Sequence, residues 1–264
     1  MKKFHKLTVL LLAALVLGTA CSKQDEDTAE TAKTEILTNV FRGTGIDLPA
    51  EYSINTGVKP YYDAETGEMT ILCVHGYESD TVNEDGYNDY IRENILLTVD
   101  KNNTVIAEQK LELGDNVYVN NGVLTADRLY YVHYTYDETS MKETYYAAVY
   151  NTADGTAAMS GDLTGLFTPT DGGWFYVEHI AVDGDGFLYL TAEQEILVLD
   201  GAFVKQFSVT SQNWISELAV SADGTVWAAG YFDSGYGFVP IDKGTKSFGE
   251  TVELPANLNA NQYL

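Results

Sequence analysis

The sequence predicts an all-β protein, a β-propeller of four-stranded blades, and three observations carry that expectation. From Thr34 onward, short runs rich in Val, Ile, Tyr, Thr and Phe alternate with Gly, Asp and Asn turns, and no convincing helix interrupts them. One pattern recurs: Asp223-Gly224 aligns with Asp185-Gly186 at an offset of 38 residues. The match extends to Trp214 on Tyr176, Ile215 on Val177, Ala219-Val220 on Ala181-Val182, Val226 on Leu188 and Trp227 on Tyr189. Each unit then holds four strands in about 40–45 residues, the size of a propeller blade. A β-sandwich, the competing architecture, gives no reason for the same turn chemistry to return at the same strand.

The elements follow in order. Residues 1–20 combine a basic start, MKKFHK, with the apolar run LTVLLLAALVLG and small residues before Cys21. That run is shorter than the roughly 20 apolar residues that a spanning helix needs. Gly18-Thr19-Ala20-Cys21 resembles a bacterial lipoprotein signal, so Cys21 is the expected lipidation site. Gly18 stands where leucine is the commonest choice, and an ordinary secretory signal is the alternative. Residues 21–33 are polar, acidic and free of aromatics, a flexible tether. With Cys21 lipidated only Cys73 is left, so no intramolecular disulfide forms, and Cys73 within Ile71-Leu72-Cys73-Val74 reads as a small buried side chain.

Residues 34–264 form the propeller. Ile36 to Phe41 reads as a lone strand ahead of blades at 46–113, 114–167, 174–210 and 213–254, with the start of a further blade at 257–264. In the second blade Tyr118, Val119 and Tyr131 take the places of Tyr176, Val177 and Tyr189, while Arg128 replaces the turn glycine. The first copy is the poorest, with Tyr52 near the aromatic position and Ile71-Leu72-Cys73 in the next strand. Each copy has a later strand ending in a turn-forming acid or amide: Asp100, Asn151, Asp200 and Asp242. About four blades are thus visible and the ring is expected to be incomplete, which makes a fragment of a longer propeller one reading of the chain.

Charge narrows the function classes. The chain of 264 residues has 15 basic and 39 acidic side chains, a net charge of −24. Without residues 1–20, the remaining 244 carry 12 basic against 39 acidic groups, a net −27. Such a body repels phosphate backbones, so nucleic acid is not an expected partner. Membrane attachment, on the outer face of the cytoplasmic membrane, is expected to come from the lipid at Cys21 and not from charge.

The signal, tether and blades together resemble a group of clostridial envelope lipoproteins, whose N-terminal propeller continues into an extracellular solute-binding domain of the ABC-importer kind. The resemblance runs from Met1 to Leu264, through GTAC at the signal, IDLPAEYS at 46–53, HIAVDGDGFLYL at 179–190 and SADGTVW at 221–227. The solute-binding domain is absent from this sequence, so transport itself is not carried over. What the resemblance implies is an envelope lipoprotein whose propeller assists recognition or docking, in solute or sugar uptake, beside a partner domain or transporter components.

The residues themselves offer one binding pattern. Segments between second and third strands carry aromatics beside acids: Tyr77, Tyr87 and Tyr90 in the first blade, Tyr134 and Tyr136 in the second, and Tyr231, Phe232 and Tyr236 in the fourth. These are expected to be loops opening on one face, where rings stack on sugar C–H faces and acids accept hydroxyl hydrogens. The plainer reading is that tyrosine is simply a favoured strand and hairpin residue. Asp183-Gly184-Asp185-Gly186 lacks the rest of a calcium loop and reads as a strand turn. His75, His133 and His179 fall in separate blades, and no metal, cofactor or catalytic residue is expected. His179, aligned with Glu217, is placed on an inner strand near the axis in a structural role. The expectation is therefore a non-catalytic module for a small molecule or glycan. The opposing classes are a propeller enzyme, a lyase or glycosidase acting on an extracellular polymer, and a truncated chain with no activity of its own.

Overall fold

A computed structural model describes residues 45–82, 86–113, 117–137, 139–140, 142–167, 176–232 and 235–253. The expected signal peptide, Cys21, the tether, the Ile36–Phe41 strand and residues 257–264 lie outside the described residues. The chain divides into a unit of residues 46–252 and the two terminal stretches, and the sheets belong to the former.

Every regular element among the described residues is a strand. In chain order these are β1 (Tyr52–Ile54), β2 (Val58–Lys59), β3 (Tyr61–Asp63), β4 (Glu68–Val82), β5 (Asn88–Val99) and β6 (Val105–Leu111). Then come β7 (Tyr118–Leu124), β8 (Arg128–Asp137), β9 (Lys142–Asn151) and β10 (Thr156–Asp162). The third group is β11 (His179–Val182), β12 (Leu188–Ala192), β13 (Glu195–Leu199) and β14 (Lys205–Thr210). The last is β15 (Ile215–Val220), β16 (Val226–Phe232), β17 (Gly235–Asp242), β18 (Ser247–Phe248) and β19 (Val252–Glu253). They make four sheets, ordered β1-β4-β5-β6, β7-β8-β9-β10, β11-β12-β13-β14 and β15-β16-β17-β18, with every consecutive pair in these orders antiparallel.

Turn chemistry explains why the strands stop where they do. Asp100 Oδ1 accepts the N–H groups of Asn102 (2.8 Å) and Thr104 (2.9 Å). Asp200 Oδ1 accepts those of Ala202 (2.9 Å) and Val204 (3.0 Å), and Asp242 Oδ1 those of Gly244 (2.7 Å) and Thr245 (3.0 Å). Asn151 Oδ1 accepts Ala153 N–H at 3.0 Å. A short side-chain acceptor thereby replaces the lost ladder partner and bends the chain. Each of these turns also carries one left-handed residue: Asn103, Gly155, Phe203 and Lys246. At the other turn, Gly186 and Gly224 both have φ +82°. Arg128 needs no such conformation because its turn is one residue shorter: Leu124 pairs with Leu129, whereas Val182 pairs with Leu188.

The sheets pack face to face in sequence order. Leu72 and Leu96 of the first meet Val119, Leu129 and Tyr131 of the second. Tyr130, Val132 and Val149 on the second sheet's other face meet Ile180, Leu190 and Leu197 of the third. Tyr189, Ile196 and Val198 then meet Leu218, Val226 and Val239 of the fourth. All five residues of β12 and of β13 are buried, because the third sheet is covered on both faces. That is why these strands read as near-continuous apolar runs without alternation. Cys73 is fully buried, with its thiol pushed up to about 11 by that burial, so it behaves as a small apolar group.

The first sheet departs from the others. Its first strand is short, and β2 leaves it to pair in parallel with β7, Val58 opposite Gly122. Asn55 directs this crossing: its Oδ1 accepts Gly57 N–H (3.0 Å) and its Nδ2 donates to Val119 O (2.9 Å). Gly57 is required there, since a Cβ would overlap the Asn120 carbonyl.

Candidate functional site

Each sheet has a turn end, where its first and third turns lie, and a hairpin end, where its second and third strands join. The segments expected to be loops are hairpin extensions in the structure. Glu78 pairs with Tyr90 and Tyr77 with Ile91; Tyr134 pairs with Tyr145 and Tyr136 with Glu143; Tyr231 pairs with Tyr236 and Phe232 with Gly235. The residues themselves explain the difference. Tyr, Thr, Val and Ile favour extended backbone, and opposed aromatic pairs reinforce the ladder where loops were expected.

The predicted rings divide among separate hairpins. Tyr77 lies 4.9 Å from the His75 ring, which stacks on Tyr52 at 4.6 Å, and its hydroxyl donates to Glu93 Oε1 (3.2 Å). Tyr87 stands in the bend before β5, 73% exposed. Tyr90 lies on the opposite face of its sheet from Tyr77. Tyr134 lies 5.7 Å from Tyr145, and Tyr231 meets Tyr236 edge-on at 5.2 Å. Tyr136 is exposed. Phe232 instead packs on the core between third and fourth sheets and meets Phe248 edge-on at 5.9 Å, a structural place.

Two rings that sequence reasoning treated as architecture belong with the exposed group. Tyr176 stands three residues before β11 and Trp214 directly before β15, at the hairpin ends of their sheets, 53% and 51% exposed. They share one repeat position, and the return of an aromatic at that position is the sequence signal that marks them. Of the exposed aromatics Tyr62, Tyr87, Tyr90, Tyr136, Tyr176, Trp214 and Tyr231, only Tyr62 belongs to a turn end.

A cleft of about 550 Å³ opens between the hairpin ends of the first two sheets. It is lined by Ser53, Asn55, Val74, Arg92 and Asn94 on one side and by Val117, Val119, Asn120 and Tyr134 on the other. Strand alternation builds it. Leu72 and Leu96 fill the lower part of the interface, and the residues two steps on, Val74 and Asn94, continue the same face where the sheets diverge. Asn120 is the extra residue of a β-bulge, between the pairs Val119–His133 and Asn121–Val132. Bulges of this kind re-aim a side chain.

A second polar cluster joins β2, β11 and β15. Lys59 Nζ donates to Glu217 Oε1 (2.6 Å) and to the Leu218 carbonyl, and His179 Nδ1 lies 3.5 Å from Glu217 Oε1. Burial alone would raise the Glu217 carboxyl, but the Lys59 ammonium and Leu218 N–H hold it below its ordinary value. Burial lowers His179, with the Glu217 charge opposing. The aligned pair His179 and Glu217 thus joins Lys59 in a clasp between β2 and β15. Glu178 is pushed up to about 6 by burial and then by the charge of Glu193. At the turn end, Asp183 Oδ1 accepts Asp185 and Phe187 N–H (both 2.9 Å), and Lys243 Nζ donates to Asp183 (2.7 Å) and Asp185 (2.6 Å). Backbone donors and a lysine therefore use the oxygens that a calcium loop would need. No group of metal-binding residues occurs among the described residues.

No protein-family model matches the chain, and no curated protein matches it in sequence. Among solved structures it is similar to a protein of unknown function from Bacteroides caccae, with 11% identity, 81% of this chain and 63% of that one covered, and a TM-score of 0.45. It is also similar to a puromycin-hydrolyzing peptidase of Mycobacterium tuberculosis (12% identity, 79% and 32% covered, TM-score 0.45). A gluconolactonase of Xanthomonas campestris aligns with 11% identity, 69% and 57% covered, and a TM-score of 0.39. The chain spans less than two thirds of each of these proteins. Its function is therefore read from its own residues.

Proposed function

We propose that this chain is a lipid-anchored, extracytoplasmic binding module, with its four sheets serving as blades of a β-propeller and its hairpin end receiving a glycan or related polar small molecule. One observation carries the reading: exposed rings stand at the hairpin ends of all four sheets, and a polar cleft large enough for a sugar unit opens between those of the first two. Rings of this kind stack on sugar C–H faces, while amides and hydroxyls exchange hydrogen bonds with sugar hydroxyls. A non-catalytic docking role accessory to solute or sugar uptake fits the lipoprotein-like N-terminus. The enzyme reading would place chemistry at the inner strands, where Lys59, Glu217 and His179 already satisfy one another.

The test is retention of the full chain on a panel of immobilised glycans, with product release followed in parallel. Saturable retention without turnover is expected. Turnover of any retained glycan that is lost in Glu217→Gln would replace this reading with an enzyme. Anchoring is tested separately: Cys21→Ser should move the chain from the membrane fraction to the soluble one in a bacterial host, and unchanged membrane association would remove the lipid anchor from the account.

A further inference from the structure

Charge does not set the preference of the cleft. Arg92 in its wall lies 6.0 Å from the centroid of the Tyr90 ring. The register of β4 and β5, with Gly76 opposite Arg92 and Glu78 opposite Tyr90, puts Glu78 on the same sheet face. Tyr90 can lie across β4 because Gly76 has no side chain, since a Cβ there would overlap the Tyr90 hydroxyl. A guanidinium and a carboxylate on one face offset each other, so the neutral groups of the lining decide what it holds. Most of these are amides and valines.

The amides differ in what they have left to offer. Asn55 uses both ends of its amide, on Gly57 N–H and on the Val119 carbonyl. Asn94 Nδ2 donates across the cleft to the Val117 carbonyl (3.3 Å), and that bond orients the group. Its Oδ1 meets no donor among the described residues, and neither end of the Asn120 amide has a partner among them. Consecutive residues of a regular strand face opposite sides, but the bulge brings both Val119 and Asn120 to the cleft. The cleft thus presents an oriented acceptor in Asn94 and an uncommitted amide in Asn120, together with the apolar side chains of Val74, Val117 and Val119. A secondary amide that carries a methyl group complements this set. Its N–H needs an acceptor, its carbonyl a donor and its methyl an apolar wall. A hydroxyl in its place leaves the valines uncovered.

We propose that the cleft selects an N-acetylated sugar over its unmodified counterpart, with Asn94 accepting the acetamido N–H, Asn120 donating to its carbonyl, and Val74 and Val119 covering its methyl. The inference rests on the glycan-binding reading above and names its ligand class. A free N-acetylhexosamine and the terminal unit of an N-acetylated polysaccharide share this chemistry, and the assay distinguishes them by comparing N-acetyl-D-glucosamine with N,N′-diacetylchitobiose.

The experiment is isothermal titration of the full chain with N-acetyl-D-glucosamine, N-formyl-D-glucosamine, D-glucose and the disaccharide. N-acetylglucosamine should bind at least tenfold more tightly than glucose, with the N-formyl sugar, which keeps the amide and lacks the methyl, in between. Asn120→Asp removes the donor and keeps the shape, and Asn120→Ala removes the group without adding charge. Each should abolish most of the preference and leave the unfolding midpoint unchanged. Val74→Ala should narrow the gap between the N-acetyl and N-formyl sugars. The amide selectivity alone would be overturned by equal affinities for N-acetylglucosamine and glucose, or by a preference that survives both Asn120 variants. Failure of either sugar to bind a chain that retains another glycan would overturn it too. Retention of no immobilised glycan at all would overturn the glycan reading with it.

Discussion

Acids at the turn end of the sheets face the backbone, whereas rings at the hairpin end face outward. Asp100, Asp200 and Asp242 each spend an oxygen on two backbone N–H groups. Tyr87, Tyr90, Tyr136, Tyr176, Trp214 and Tyr231 are all more than two-fifths exposed. The turn-end acids satisfy donors that would otherwise lose their partners, so their contribution is to folding. The hairpin-end rings leave apolar surface in water, area that a bound ligand would cover under the proposed function. The two ends should therefore separate stability from binding when they are mutated.

The largest expected effect breaks the turn end at Asp183, whose side chain is 2% exposed and accepts two backbone N–H groups, the Tyr189 hydroxyl and Lys243. Asp183→Ala orphans the buried Tyr189 hydroxyl and two backbone donors, and leaves Lys243, which links third and fourth sheets, held by Asp185 alone. It should cost about 2–4 kcal/mol in chemical denaturation. A loss below about 1 kcal/mol would mean that this carboxylate merely decorates the turn. Next in size, Asp200→Ala and Asp242→Ala each remove the acceptor for two backbone donors in an exposed turn. About 1 kcal/mol each is expected from the same measurement. Asp200→Asn, which keeps an acceptor, should recover most of it.

A smaller effect reverses the sign expected of a carboxylate. The turn acids Asp100 and Asp242 are held below their ordinary value, chiefly by backbone N–H groups. Their stabilisation is present above the unfolded value and fades as pH falls through the folded one. Glu178 is raised from 4.5 to about 6, so its stabilising influence is full below 4.5 and lost as pH rises through 6. Glu178→Gln should consequently stabilise the protein at pH 7 and not at pH 4. Solvent screening of this half-buried group keeps the gain below about 1 kcal/mol. Unfolding midpoints of the variant and parent across pH 4–7 give the check, and a gain that is constant across that range would refute the protonation argument.

Sequence and structure agree where the physics is local. Period-two patterns, β-branched runs and the residues Asp100, Asn151, Asp200 and Asp242 all encode strand and turn within a few positions, which made the four-stranded units legible. Arg128 was legible as a departure, but the one-residue-shorter turn that explains it appears only once Leu124 is paired with Leu129. The site was less legible. Tyr77 and Tyr90 look equivalent in sequence, yet strand parity sends one to the far face with Glu93 and the other across Gly76 toward the cleft. Arg92, Asn94 and Asn120 carry no motif. They converge because two sheets diverge above Leu72 and Leu96, a packing outcome that no single segment encodes.

The most direct test of the account compares the two ends in one pair of assays on a glycan that the full chain retains. Tyr176→Ala with Trp214→Ala is set against Asp200→Ala with Asp242→Ala, reading affinity and unfolding midpoint for both. The ring pair should lower affinity at least tenfold with stability changed by no more than about 0.5 kcal/mol per site. The acid pair should lower the midpoint and leave affinity intact. Undiminished affinity in the ring pair, or lost affinity in the acid pair while it remains folded, would contradict the division of labour between the two ends.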